Sequence, residues 1–242
     1  MPAYLIVGAS GTIGSEVACS LAGPETALAL HYCGSRAAAE QTRGRAERRG
    51  ARAVCIQSAL DTEVACEAAW EQSCAAVGIP DGLALCAGRV PWRPWQELTA
   101  ADWSAAVFEH SVAPFTIARL AVEAMRMRGR GSIVFLSSIA AKYGGSPKTL
   151  HYAAAKAALE TSMRGLARDV AQAGVRINGV RSGFVNSPQH GGRTAEQIAQ
   201  RVRLIPMARP GQGREVAAAV AFLLSDAASF ITGETLTVAG GD

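Results

Sequence analysis

Tyr4-Leu-Ile-Val-Gly-Ala-Ser-Gly-Thr-Ile-Gly14 is the stretch whose reading decides the fold. The apolar run Tyr4–Val7 has the length of a buried strand and is too short for a helix. Glycines at 8, 11 and 14 follow, and a helical pattern runs over Ile13–Leu21. Glycine lets a backbone turn tightly and come close to a phosphate, and the amides of a helix N-terminus favour its charge. Strand, glycine-rich turn and helix in this order make a candidate dinucleotide site. A simple tight turn would use the same glycines, so the rest of the chain has to decide between the two.

Working outward, short apolar runs alternate with longer helical patterns. Tyr4–Val7, Thr26–Tyr32, Ala53–Ile56, Leu83–Leu85, Ser132–Leu136, Arg176–Val180 and Thr235–Val238 read as strands. Ile13–Leu21, Ala37–Arg49, Glu63–Val77, Thr99–Arg128, Tyr152–Ala173 and Glu215–Ser225 read as helices, with Thr99-Ala-Ala-Asp102 as a helix start. Such alternation predicts an α/β fold: a doubly wound parallel sheet of about seven strands with helices on both faces. No linker or repeat divides the 242 residues, so 1–242 is expected to be a single domain. The polar stretch 186–214 has prolines, glycines and a short helical pattern near Thr194–Val202. Loops beyond strand C-termini border the ligand crevice of such sheets, so 186–214 is expected to be a substrate lid.

Composition excludes several classes. Hydrophobic residues make up 49% and charged residues 18%, which suits a packed core and not a disordered chain. Net charge is +4, but the arginine-rich stretches Arg43–Arg52 and Arg126–Arg130 lack the interleaved aromatics of a nucleic-acid platform. They read as solvated helix faces or, alternatively, as docking points for an acidic partner or for phosphate groups. The cysteines at 19, 33, 55, 66, 74 and 86 form no C-x-x-C pair and no metal-ligand spacing. No apolar stretch reaches membrane-spanning length, and the first strand begins almost at once. The cytoplasm is the expected compartment.

Tyr152-Ala-Ala-Ala-Lys156 carries the chemistry, with Ser137-Ser138 upstream at the end of an apolar run. Residues four apart share a helix face, so phenol and ammonium can act on one small molecule. The cation can lower the phenol pKa from about 10. Surface helices also carry Tyr and Lys at this spacing, so the pair alone is weak. The second strand ends in Cys33-Gly-Ser35-Arg36. An acid here would hold a ribose hydroxyl and repel a 2′-phosphate. Ser35 and Arg36 suit a phosphate instead, which favours NADP(H) over NAD(H), unless Arg36 merely opens the next helix.

Taken together, the chain resembles the short-chain dehydrogenase/reductase family, whose fold is Rossmann-like, over nearly its full length. The resemblance rests on Gly8–Gly14, Leu85-Cys-Ala-Gly88, Ser138, Tyr152–Lys156, Asn178-Gly-Val-Arg-Ser-Gly183 and Thr232-Gly-Glu-Thr-Leu-Thr-Val-Ala-Gly-Gly241. Ile205-Pro-Met-Ala-Arg-Pro-Gly211 and Glu215-Val-Ala are similar to the β-ketoacyl–acyl-carrier-protein reductase branch. The resemblance implies that Tyr152 protonates a carbonyl oxygen, Ser138 holds it, and Lys156 binds the nicotinamide ribose and lowers the Tyr152 pKa. It implies cofactor contacts from Gly8, Ser10, Thr12, Ile13 and Gly14. Ala87 and Gly88 would form a bare wall, Ser58 and Ala59 would lie near the adenine, and Val185 and Ser187 would meet the carboxamide. Adjacent strand residues point to opposite faces, and the resemblance selects Ser138 over Ser137.

The chain also departs from the family pattern. Thr12 stands at the middle glycine, Leu85-Cys86 replaces Asn-Asn, Ser182 replaces proline, and Ser58 replaces an adenine-side Asp. His110 falls on the Asn that positions a water between the lysine and solvent. Either its imidazole replaces that Asn in the relay, or it is a hydrogen-bonded core histidine. The function expected is NADPH-dependent reduction of a carbonyl on a small or carrier-tethered, β-ketoacyl-like substrate, with an acyl carrier protein as a possible partner. A homotetramer is the expected assembly. The alternative is a weakly active cofactor-binding subunit paired with a paralogue. Epimerase or dehydratase chemistry would need a longer C-terminal substrate domain.

Overall fold

In the computed structural model, which describes residues 1–187 and 194–242, one sheet organises the chain. Its strands are β1 (Ala3–Val7), β2 (Ala27–Tyr32), β3 (Arg52–Gln57), β4 (Gly82–Leu85), β5 (Gly131–Ser138), β6 (Val175–Ser182) and β7 (Thr235–Val238). All pair in parallel in the order β3-β2-β1-β4-β5-β6-β7. The helices are α1 (Thr12–Leu21), α2 (Arg36–Glu47), α3 (Glu63–Val77), α4 (Ala100–Val107), α5 (Ala113–Met127), α6 (Ala140–Tyr143), α7 (Leu150–Val170), α8 (Ala195–Arg203) and α9 (Gly213–Leu224).

Neighbouring strand residues face opposite ways, which splits the core in two. Leu5, Leu83, Ile133 and Phe135 face α3, α5 and α7 and pack with Trp70, Ile117, Met125 and Met163. Ile6, Leu28, Leu30 and Val134 face α1, α2 and α9 and pack with Val17, Val216 and Leu223. The strand order reverses between β1 and β4, where Val7 pairs with His31 on one side and Leu85 on the other. A crevice opens beyond the strand C-termini at such a reversal. Gly8 and Cys86–Gly88 leave the sheet there.

The helix expected over Thr99–Arg128 is interrupted. Between α4 and α5 a π-helical turn, Phe108–Val112, carries His110, and the Ala113 N–H donates to the Phe108 carbonyl five residues back. Pro114, in the first turn of α5, is the cause: it has no N–H for the His110 carbonyl. The short α6, ended by Gly144 at φ +78°, has no counterpart in the sequence pattern. In the stretch 186–214, residues 188–193 lie outside the described residues. The base of that stretch is a parallel bridge between Val185 and Gly211. Beyond it α8 starts with a reciprocal Thr194–Gln197 cap. No helix among the described residues is long and apolar enough to cross a membrane.

Candidate active site

The glycine turn after β1 is shaped by close approach. Gly8 has φ +86°, and a Cβ there would lie 2.7 Å from the Ala87 backbone. A Cβ on Gly14 would lie 2.2 Å from the Gly8 carbonyl oxygen, so α1 can start this near β1 only with glycine. Gly11 caps α1 without a side chain, which leaves the first amides of the helix for an anion. Thr12, where the family has glycine, adds a hydroxyl that shares a 3.0 Å hydrogen bond with Ser187. The cradle therefore fits a dinucleotide phosphate, and Thr12 ties it to the segment after β6.

Ser35 and Arg36 stand at the C-terminal end of β2. Ser35 caps α2, its hydroxyl accepting from the Ala38 N–H at 3.4 Å. Arg36 is exposed and, among the described residues, makes no ion pair. Ser58 follows β3, and its carbonyl lies 3.1 Å from His31 Nε2. The Gly8 N–H donates to His31 Nδ1 at 3.3 Å. His31 thus bridges the turn and the loop after β3, with Nε2 protonated and Nδ1 accepting. Burial lowers its pKa to about 4, against an upward pull from the Ser58 backbone, so the neutral ring that this geometry needs is the stable one. The sequence reading missed His31, although a lone imidazole inside an otherwise apolar strand was a visible signal.

On the other side of the crevice, Ser137 and Ser138 end β5 with opposite directions. Ser137 donates to Glu160 Oε1 at 2.6 Å, and Arg181 also pairs with Glu160. Ser138 accepts from the Ala140 N–H at 3.2 Å and turns toward Tyr152. Tyr152 and Lys156 lie one turn apart on α7, with Lys156 Nζ 5.9 Å from the centre of the Tyr152 ring. Lys156 Nζ donates to the Leu136 carbonyl at 2.8 Å. The His110 ring meets the Tyr152 ring edge-on, with centroids 4.9 Å apart. Gly88, at φ +125°, leaves it room: a Cβ there would sit 2.7 Å from His110 Nδ1.

Burial controls the ionisation of this site. It raises the Tyr152 phenol above its ordinary value; a hydrogen bond with Ser138 lowers it and the Glu109 carboxylate adds to the rise. The lowering by Lys156 expected from spacing is absent in the chain alone, because that ammonium is itself desolvated and aimed at Leu136. Burial brings Lys156 down to about 8, opposed by Cys86, Glu109 and Glu160. His110 falls to about 3 through burial first and Lys156 second, against a pull from the Arg89 backbone. The Cys86 thiol is pushed up to about 12 by burial, so it is an inert wall.

Thr12, Ile13, Gly14, Ala87, Gly88, Ser138, Tyr152, Lys156, Val185 and Ser187 line one cavity of about 450 Å³. Ser10, Ser35, Arg36, Ser58 and Ala59 are not part of its lining, and Gly8 lies beneath it. His110 sits behind Gly88, fully buried, and neither ring nitrogen has a hydrogen-bond partner. His151, next to Tyr152, is also buried with Nδ1 unpartnered. Among the described residues no cluster could hold a metal ion, and all six cysteines are free.

A switch-point crevice with a glycine cradle on one wall and a Ser, Tyr and Lys on the other has the form of a dinucleotide-dependent oxidoreductase site. Comparison with known proteins agrees. The profile of the family described as enoyl-(acyl carrier protein) reductase matches residues 8–242. An uncharacterized oxidoreductase of Bacillus subtilis, YmfI, is 33% identical over 238 residues, 98% of this chain and 97% of that one. The 3-oxoacyl-[acyl-carrier-protein] reductase FabG of Staphylococcus aureus is 30% identical over 237 residues, 98% of this chain and 96% of the relative. The crystal structure of acetoin dehydrogenase from Enterobacter cloacae superposes with a TM-score of 0.90 at 27% identity, covering 99% of this chain and 94% of that one. The chain belongs to the short-chain dehydrogenase/reductase family, oxidoreductases that use a nicotinamide cofactor.

Proposed function

We propose that this protein is an NADPH-dependent ketoreductase. The reading is carried by the gathering of Ser138, Tyr152 and Lys156 around the same cavity as the Thr12–Gly14 cradle. Gly8, Ser10, Thr12, Ile13 and Gly14 would hold the cofactor phosphates, Ser58 and Ala59 its adenine side, and Ala87, Gly88, Val185 and Ser187 its nicotinamide side. The exposed guanidinium of Arg36, with Ser35 beside it, supports NADP(H) over NAD(H). When bound, the reduced nicotinamide supplies the hydride.

The chain's own residues supply position and the proton. The Ser138 hydroxyl donates to the substrate carbonyl oxygen and holds it beside the phenol. Tyr152 then gives its proton to that oxygen as negative charge develops there. A phenol held above its ordinary pKa is fully protonated at neutral pH but is a weaker acid, so the transfer depends on stabilising the phenolate it leaves. Lys156 stands ready to stabilise the phenolate left behind. His110, neutral and unpartnered behind Gly88, would take the relay place that the family gives to Asn.

Arg126, Arg128 and Arg130 lie where α5 leads into the N-terminal end of β5, opposite the cavity mouth. They pair with Glu123 and Asp81. This favours a free substrate over one delivered by a carrier protein docked there. For the assembly, exposed Phe230 and Leu236 at the β7 edge of the sheet and exposed Phe222 on α9 support one contact of a homotetramer. NADPH oxidation with a panel of ketones and acyl thioesters, run beside Tyr152→Phe, tests the function. Turnover lost in Tyr152→Phe is the expected result. Tight NADPH binding without turnover by the parent protein would favour a cofactor-binding partner subunit.

A further inference from the structure

Each turnover of the proposed reaction consumes one proton, so the site needs a path from solvent to the Tyr152 phenol. His110 stands against that ring, fully buried, and neither of its nitrogens has a hydrogen-bond partner among the described residues. An imidazole so placed can pass a proton inward only if its far side meets a group that water reaches. Glu109 lies on that side.

Glu109 precedes His110 in the π-helical turn Phe108–Val112. Single π-turns inside helices are frequent at functional sites. Here Glu109 Oε2 lies 3.9 Å from His110 Nε2. The other ring nitrogen, Nδ1, packs against Gly88 of the cavity wall, where an added Cβ would lie 2.7 Å from it. One nitrogen therefore faces the cavity wall and the other a carboxylate. The His110 side chain is 0% exposed and that of Glu109 51%, so the carboxylate spans the distance from the ring to water.

An exposed glutamate is ordinarily a solvated side chain without a fixed place. Glu109 is held: Oε1 accepts from the Arg89 N–H at 3.0 Å, which leaves Oε2 for the imidazole. Its charge also reaches the reacting groups. Glu109 raises the Tyr152 phenol, after the larger effects of burial and the Ser138 hydrogen bond, and raises Lys156, after those of burial and Cys86. A contact of 3.9 Å is longer than a hydrogen bond, as catalytic contacts often are before substrate binds.

We infer that Glu109 is the solvent-side end of the proton path to Tyr152, with His110 between them. The inference rests on the ketoreductase reading. As hydride reaches the carbonyl carbon, the oxygen takes the Tyr152 proton. The phenolate takes a proton from one nitrogen of His110. The other nitrogen takes one that Glu109 has received from water. Each alcohol formed removes one proton from solvent, and all three side chains end with as many protons as they began.

Two measurements test this. The first is NADPH-dependent reduction of the fastest ketone of the panel. Glu109→Gln keeps an acceptor for the Arg89 N–H but cannot carry a proton. It should lower kcat by about tenfold or more and leave KM for ketone and NADPH near the parent values. Glu109→Asp should recover part of the loss. Raising the concentration of imidazole buffer should recover most of it, because a small acid can deliver the missing proton, whereas a structural defect would not respond to buffer.

The second measurement needs no turnover. Exchange of the His110 ring N–H with water is followed by NMR in the NADP⁺ complex, with His110→Asn identifying the signal. Exchange should be about tenfold slower or more in Glu109→Gln than in the parent. A parent that reduces no ketone, with exchange still slowed in Glu109→Gln, would remove the ketoreductase reading and keep the proton path. Unchanged exchange in Glu109→Gln would overturn the inference. So would a kcat that does not fall, or one that buffer fails to restore.

Discussion

His110 and Tyr152 meet edge to face, ring planes at 90° and centroids 4.9 Å apart, at the one place where the α4–α5 rod widens into a π-helical turn. A buried imidazole with no protein partner for either nitrogen is costly unless a water satisfies it, and a water held there is what the relay requires. His110→Asn retains an amide that can hold a water, whereas His110→Ala retains nothing. Ketone reduction by His110→Asn should stay near the parent rate, and His110→Ala should lose about tenfold to hundredfold in kcat at unchanged NADPH affinity. Parent-like rates in both variants would remove His110 from the relay.

Acid stability follows from the same ring. An exposed histidine titrates near 6.5, but folded His110 does so at about 3 and folded His31 at about 4. Above pH 6.5 both states hold neutral rings and neither residue affects stability. Below it the unfolded chain takes up protons that the folded chain refuses, so stability is lost as pH falls toward the folded values. Between about pH 6.5 and 5 each ring should cost on the order of 1 kcal/mol. Urea midpoints measured across this range should fall less steeply for His110→Asn than for the parent.

Lys156 makes function and stability oppose each other. Its folded pKa of about 8 lies below the ordinary lysine value. From about pH 8 to 10.5 the unfolded chain holds a proton that the folded chain has released, so stability rises with pH there. Lys156→Met removes the buried charge but leaves the Leu136 carbonyl without its donor. Without cofactor, the variant's thermal midpoint near neutral pH should equal or exceed that of the parent, and its reductase activity should vanish. A variant that unfolds earlier would show that the hydrogen bond to Leu136 outweighs the desolvated charge.

Arg36 tests cofactor choice. Its guanidinium is solvent-exposed, so Arg36→Leu should not disturb the fold. The variant should raise KM for NADPH by about tenfold, one charge-assisted contact's worth, and leave NADH unchanged. Equal effects on both cofactors would mean that Arg36 only opens α2.

What the sequence revealed and what it hid divide along physical lines. The Leu5/Ile6 alternation, the Gly8–Gly14 turn and the i,i+4 pair Tyr152/Lys156 are local, and local periodicity reports on them directly. The π-turn was hidden because a helical pattern runs unbroken through Thr99–Arg128 and only Pro114 marks the fault. The His31 bridge joins residues from three strands, so no window along the chain contains it. The rise of the Tyr152 pKa was hidden for another reason: spacing supplies a neighbouring charge, but burial, which dominates here, is a property of the packed molecule.

Glu160 provides the last test, away from the reacting atoms. It is nearly buried on α7 and joins Ser137 at the end of β5 to Arg181 on β6, which also reaches Thr237 on β7 at 3.2 Å. One carboxylate therefore holds three neighbouring strands of the sheet to the catalytic helix. Glu160→Gln keeps the volume and one acceptor but leaves the Arg181 guanidinium without its counter-charge. Breaking a buried pair in this way costs roughly 3 kcal/mol, more than the pair itself contributes, because the remaining cation stays desolvated. A lower unfolding midpoint is expected for Glu160→Gln, with much of the loss recovered when Arg181→Met is added. A Glu160→Gln protein as stable as the parent would show that water reaches Arg181 and screens it.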